Sequence, residues 1–409
     1  MSKRTIQRQN DERNRKRRTR HLFVTKVAAA VMLLLTLVYL LGPFKAAQTS
    51  NQRATSETIR LLTADALAHL NHLQLEALDI ATRNFICGKG IVDDNMGEAT
   101  LYQRIDAMAQ RTRAETQRNH HRFQSNPQEY QNSAAYYKML MLVTVLQQDY
   151  GMLYNPQRVT KAGVIEPNST FFADPRDVFI HGLLQEKRKG TCASLPVLAI
   201  AVGRRLGYPL ALVSTQNHLF VRWNDTNEKF NIEVTSMGMN TYPDDHYRNW
   251  PYPIDQQTEQ DNCYLQVMSA AEETAVFFSL RGFCMMAQNR HEDALKAHEN
   301  AVKLAPKALH YQKILATAKA EVLAKTNPKH AQRAKLPPHP MFQDSKMAPE
   351  VNWILWEQHE RARIQHQAQE RELRQRQSWL PQNNVFPHQQ TTPLHQSPIR
   401  QSNQHILQP

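Results

Sequence analysis

Gly190-Thr-Cys-Ala-Ser-Leu-Pro-Val-Leu-Ala-Ile-Ala-Val-Gly-Arg-Arg-Leu-Gly207 is the stretch on which the reading of this chain turns. Leu195, Leu198, Ala199, Val202 and Leu206 recur at intervals of three and four, which predicts a helix with one buried face. Gly207 and Pro209 end it. Pro196 fits a first turn, and Gly190 predicts a close backbone approach just upstream. Cys192 is thereby placed at the helix N-terminus. Unpaired amides and the positive end of the dipole favour an anionic sulfur there, and the same amides are candidates for an oxyanion hole.

Downstream the period changes from helical to alternating. Leu210-Ala-Leu-Val-Ser-Thr reads as a short strand, His218-Leu-Phe-Val-Arg-Trp223 as a second, and Glu228-Lys-Phe-Asn-Ile-Glu233 as a third. Taking Asn224-Asp-Thr-Asn227 as a four-residue loop pairs Trp223 with Glu228, Val221 with Phe230, Leu219 with Ile232 and His218 with Glu233. One face is then apolar (Leu219, Val221, Phe230, Ile232). The other carries His218, Phe220, Asn231 and Glu233. A carboxylate beside an imidazole fixes the ring tautomer and stabilises the imidazolium. With a sulfur at a helix N-terminus, this is the set that cysteine acyl transfer requires: Cys192 as nucleophile, His218 as base, Glu233 as the orienting acid.

Gly190-Thr-Cys192-Ala-Ser-Leu, Arg205-Leu-Gly-Tyr-Pro, His218-Leu-Phe-Val-Arg222 and Asn231-Ile-Glu233-Val-Thr235 together resemble the bacterial transglutaminase-like superfamily. The nearest type is the branch followed by a tetratricopeptide-like helical region. The resemblance covers about residues 135–310. It implies an α+β, papain-like core, with the nucleophile helix packed on a small antiparallel sheet, and a Cys–His–Asp triad in this chain order. Two departures stand out. Glu233 occupies the aspartate's place, with one more methylene, and Gln216-Asn217 precede the histidine where related sequences often have Pro-Gly.

Around this core the chain divides into a basic segment (1–26), an anchor (27–44), a helical region (46–134), the transglutaminase-like domain (135–265), a tetratricopeptide-like helical region (266–325) and a mostly disordered Gln/His/Pro-rich tail (326–409). Leu62, Ala66, Leu70, Leu73, Ala77 and Ile80 predict a helix within 55–85; further helices are expected over 98–118, 133–150 and within 273–325. Phe278, Gly282, Ala294, Ala301 and Pro306 fit the small-residue positions and closing proline of one repeat hairpin, and equally two ordinary packed helices. The tail holds too few core-forming residues to offset its ordering entropy.

The formal charge of +13 invites a nucleic-acid reading. Its placement argues otherwise, because residues 1–26 hold ten Lys/Arg against Asp11 and Glu12, directly before an uncharged run from Val27 to Phe44. That run is about long enough to span a hydrocarbon core, and the basic flank puts the N-terminus in the cytoplasm. Phe44 and Lys45 stand where signal-peptide cleavage at Ala46 or Ala47 needs small residues. The expectation is a single-pass inner-membrane protein whose bulk is periplasmic, with a peptide or protein substrate and no nucleic-acid partner. Four cysteines (Cys87, Cys192, Cys263, Cys284) without a Cys-x-x-Cys pair predict no thiolate metal site, and no cofactor is expected. His181, Trp223, Tyr242 and Trp250 are weaker candidates for the cleft, each equally at home in a core. The alternative function is an inactive transglutaminase-like scaffold that recruits envelope proteins through its helical region and tail.

Overall fold

Side-chain caps decide where the helices of the N-terminal half begin. The computed structural model describes residues 62–93, 96–158, 170–185 and 189–326. The basic segment, the anchor at 27–44 and the tail lie outside the described residues. Among the described residues no helix is long and apolar enough to cross a membrane.

The single helix expected within 55–85 is instead three: α1 (Ala64–Leu67), α2 (His72–Ala77) and α3 (Ile80–Gly88). Asn71 and Gln74 form a capping box, and the Asp79 carboxylate accepts from the Ala81 amide. Each side chain satisfies amides that would otherwise need the preceding turn, so the helix restarts at each. Leu73 consequently leaves the predicted apolar face and is 75% exposed. Helix α4 (Glu98–Arg118) keeps its expected limits, because Leu101, Ile105, Met108 and Thr112 hold a buried stripe along an otherwise polar sequence. After α5 (His120–Ser125), helix α6 (Ala134–Thr144) widens into one π turn at Val145–Asp149 before Gly151, at φ 66°, ends it.

Two short parallel strands follow, β1 (Leu153–Tyr154) and β2 (Lys189–Gly190), with Tyr154 paired to Gly190. Between them lie α7 (Pro175–Val178) and α8 (Ile180–Leu184). Helix α9 (Leu195–Arg205) is the one predicted from the opening stretch, with Pro196 in its first turn. Its buried residues pack on a three-stranded antiparallel sheet in the order β3 (Leu210–Thr215), β4 (His218–Asn224), β5 (Lys229–Ile232). The architecture is mixed α and β, with small sheets set among helices.

The β4–β5 register differs from the expected one. Val221 pairs with Ile232 and Trp223 with Phe230, two residues away from the predicted pairing. The turn starts at Asp225 rather than Asn224. The Asp225 carboxylate accepts from the Thr226 hydroxyl and the Asn227 amide, and its backbone N–H donates to the Glu228 carbonyl. Because side chains alternate with a period of two, a slip of two leaves every residue on its predicted face. Both faces are covered, however. Leu219, Val221 and Ile232 join the main core with α9, while Val213 and Phe220 form a second cluster with Tyr247, Tyr264 and Leu265. Tyr247 belongs to α10 (Asp244–Asn249), which is followed by α11 (Gln256–Asp261).

Three long helices close the described chain: α12 (Ala270–Ala287), α13 (His291–Leu304) and α14 (Leu309–Thr326). Helices α12 and α13 cross closely at Gly282, where an added Cβ would lie 2.4–2.7 Å from the buried His298 ring. Ala294 and Ala301 are fully buried at the same crossing helix. These helices are a hairpin with a third helix packed on it. They are tied to the core by the buried Glu273 of α12, which pairs with the buried Arg83 of α3 and with the part-exposed Arg204 of α9.

Candidate active site

Cys192 sits in the turn that leads into α9. The Leu195 amide donates to the Thr191 carbonyl, so the helical winding begins at Thr191. A buried cradle holds this turn. The hydroxyls of Thr191 and Ser194 both donate to the Asp177 carbonyl oxygen, at 3.0 and 2.7 Å, and the Ser194 hydroxyl accepts from the Thr191 amide. The Asp177 carboxylate is in turn held by Asn155 and Arg158. Gly190 is required here, since a Cβ would fall 2.4 Å from the Ser194 oxygen. The close approach expected at Gly190 is therefore one with its own helix turn.

His218 opens β4, immediately after a tight turn in which Asn217 takes the left-handed conformation, at φ 61°. Asparagine tolerates that region better than most residues, so Gln216-Asn217 is a workable substitute for a glycine turn. The His218 Nε2 lies 2.7 Å from the Glu233 Oε2. Given the observed register, this contact is diagonal across β4 and β5 rather than directly opposed. Diagonal positions are separated by more than opposed ones but stay within reach of a long side chain, and the extra methylene of Glu233 supplies that reach. The other carboxylate oxygen accepts from the Thr235 amide and hydroxyl, at 2.8 and 2.6 Å, while the Tyr247 hydroxyl donates to Oε2 at a longer 3.4 Å. Trp250 packs edge-on against the imidazole, with ring centroids 4.7 Å apart.

With Nε2 engaged by Glu233, Nδ1 is the nitrogen left for Cys192, which lines the same cavity wall as His218. The sulfur also lies 3.9 Å from the Asn217 carbonyl oxygen. The structure thus brings Cys192, His218 and Glu233 together. Burial alone would push the imidazole pKa down. The Glu233 charge and the Cys192 side chain outweigh it and raise it to about 10. Burial would raise the Glu233 carboxyl, but the His218 charge and hydrogen bond, then Thr235, hold it below the ordinary carboxylate range. The pair is therefore ionised at neutral pH. Its contribution to folding is full between the ordinary values of 4.5 and 6.5, fades as pH rises toward 10 with His218, and fades below 4.5 with Glu233.

Glu233→Gln removes the larger of the two influences that keep the ring protonated and leaves the desolvation that opposes it. An NMR titration is expected to show His218 charged at pH 7 in the parent protein and neutral at pH 7 in the variant. An unchanged titration would mean that the carboxylate does not set the charge of the ring.

Tyr154 was not singled out from the sequence. Its phenol lies close enough to Cys192 and Glu233 for their charges, after burial, to push its pKa well up. No local pattern signals this, because a two-residue strand has no readable period. Only the β1–β2 pairing delivers Tyr154 to Gly190 and hence to Cys192. The weaker candidates divide. Trp250 contacts the site, whereas His181 is core against Phe85, Trp223 stacks on Phe230, and Tyr242 packs on His246. All four cysteines are free thiols.

Residues 99–274 match the family model of the transglutaminase-like superfamily. The chain carries a domain of that superfamily over this span, a class whose members are often cysteine enzymes. The match takes in α4 at one end and the first residues of α12 at the other, so the helices beyond residue 274 carry no repeat-family assignment. No curated protein and no solved structure matches the chain.

Proposed function

We propose that this protein is a membrane-anchored cysteine acyl-transfer enzyme acting on an amide or peptide bond. The observation that carries the reading is the contiguous set of Cys192 at the entry to α9, the His218 imidazolium and the clamped Glu233 carboxylate. His218 holds the proton of the Cys192 thiol, and the sulfur attacks the substrate carbonyl carbon. The amide C–N bond breaks as His218 returns the proton to the leaving amine. Water or a second amine then releases the acyl group from sulfur, with His218 again taking the acceptor's proton. The Cys192 amide and the Tyr154 hydroxyl flank the sulfur and are suited to hold the developing oxyanion. Glu233 keeps the ring oriented throughout and stabilises it whenever it holds the proton. The basic 1–26 segment and the uncharged 27–44 run support a single-pass anchor with the catalytic domain on the periplasmic side, where envelope peptides and proteins are the accessible substrates.

The test is trapping of the first half-reaction. With p-nitrophenyl acetate, the expected result is a burst of p-nitrophenolate equivalent to the enzyme present and an acetyl adduct that mass spectrometry maps to Cys192. Cys192→Ala should show neither. Absence of burst and adduct in the parent chain would overturn the enzyme reading in favour of an inactive scaffold.

A further inference from the structure

A cavity of about 160 Å³ opens beside Cys192 and His218. Its wall comes largely from outside the strands and α9: Phe171 and Phe172 on one side, Val276, Leu280 and Phe283 of α12, and Ile314 of α14. A cavity of roughly 150 Å³ lined by aliphatic and aromatic side chains is enough to admit benzene. The space therefore fits one phenyl-sized group and is too small for a run of peptide.

Its charge is one-sided. The His218 imidazolium is offset by Glu233, which leaves the exposed Lys313 as the unbalanced charge of the lining, with no Asp or Glu on it among the described residues. One polar atom on the wall lacks a partner. The His310 Nδ1 is buried without a hydrogen bond, although the His310 amide is fixed by the Asn262 carboxamide oxygen at 2.8 Å. Burial, reinforced by Lys313, pushes the His310 ring down to about 3, so at neutral pH it presents an uncharged imidazole. A buried polar atom without a partner is costly unless a ligand supplies one.

We infer that the helices after residue 270 complete the substrate site, and that the cavity takes the phenyl-sized side chain of a residue at the scissile amide whose negatively charged neighbouring group meets Lys313. This rests on Cys192 as the nucleophile and names the substrate class: an anionic peptide with an aromatic residue at the cleaved bond. The α12–α14 region is then part of the specificity apparatus rather than an appended module.

The experiment separates binding from chemistry. The full-length chain carrying Cys192→Ala is titrated calorimetrically with N-acetylphenylalanine, N-acetylglycine and N-acetylphenylalaninamide. N-acetylphenylalanine is expected to bind at least tenfold more tightly than either of the others. Lys313→Glu, at an exposed side chain, is expected to weaken the acid at least tenfold and leave the amide unchanged. Equal affinity for the phenyl and glycyl ligands, or no saturable binding, overturns the proposal. A Lys313→Glu effect that is absent, or equal for acid and amide, overturns its anionic half. If the nucleophile reading is the one at fault, the phenyl preference persists here while the parent chain forms no acyl adduct.

Discussion

Iodoacetamide at pH 8 is expected to modify Cys192 at least about 100-fold faster than Cys87 or Cys284, with Cys263 between them. The ranking follows from the surroundings of each sulfur. Burial pushes the Cys87 thiol up to about 12, leaving roughly one part in 10,000 as the reactive thiolate at that pH. Burial raises Cys284 further still. Cys263 is half-buried, and burial followed by the Glu272 charge raises it too. Cys192 alone shares a cavity wall with an imidazolium, and although only 7% exposed it lines an open cavity. Removing the neighbouring imidazolium by His218→Ala is expected to slow Cys192 labelling at least about tenfold and to leave the other three rates where they are. Peptide mapping by mass spectrometry reads all four sites in one sample. Slow, even labelling of the four cysteines would show that the sulfur is inert, and the acyl-transfer reading would fall with it.

What could be read from the sequence and what could not divide by the range of the interaction responsible. Helix α4 was legible because Leu101, Ile105 and Met108 repeat within one element, and local period is what sequence records. The three-way break of α1–α3 hinged on Asn71 and Asp79. Both are visible cap residues, but an apolar spacing running through them is ambiguous until tertiary contacts choose. The β4–β5 hairpin shows how a wrong step can preserve a right neighbourhood. Asp225 moved the turn, yet the alternation of side chains kept His218 and Glu233 on one face and turned an opposed pair into a diagonal one. Tyr154, Asp177 and the α12–α14 wall of the cavity had no such protection. Each reaches the site across long stretches of chain, through contacts that no spacing rule encodes.

Glu273→Ala is expected to destabilise the folded protein by about 3–5 kcal/mol, the usual range for removing one partner of a buried ion pair. Glu273 and Arg83 are 1% and 2% exposed, and Arg204 joins the same carboxylate at 2.6 Å. Without Glu273, the Arg83 guanidinium is left without a counter-charge in a site from which water is excluded, with the part-exposed Arg204 beside it, and burial already lowers the Arg83 pKa. The loss should be nearly independent of salt, unlike that of an exposed pair such as Lys319–Glu299. Urea unfolding at two ionic strengths measures both points, and a loss below about 1 kcal/mol would show the carboxylate to be dispensable. Adding Arg83→Met should recover only part of the loss. Arg83 also donates to the Leu75 and Leu78 carbonyl oxygens, at 2.6 and 3.0 Å, and methionine would leave both unpaired. The same carboxylate fixes α12 against α3 and α9, and α12 supplies Val276, Leu280 and Phe283 to the cavity. At sub-denaturing temperature the Glu273→Ala protein should therefore lose its preference for phenyl-bearing ligands before it loses rapid alkylation of Cys192, since the sulfur's own supports, His218 and the Asp177 cradle, do not pass through Glu273.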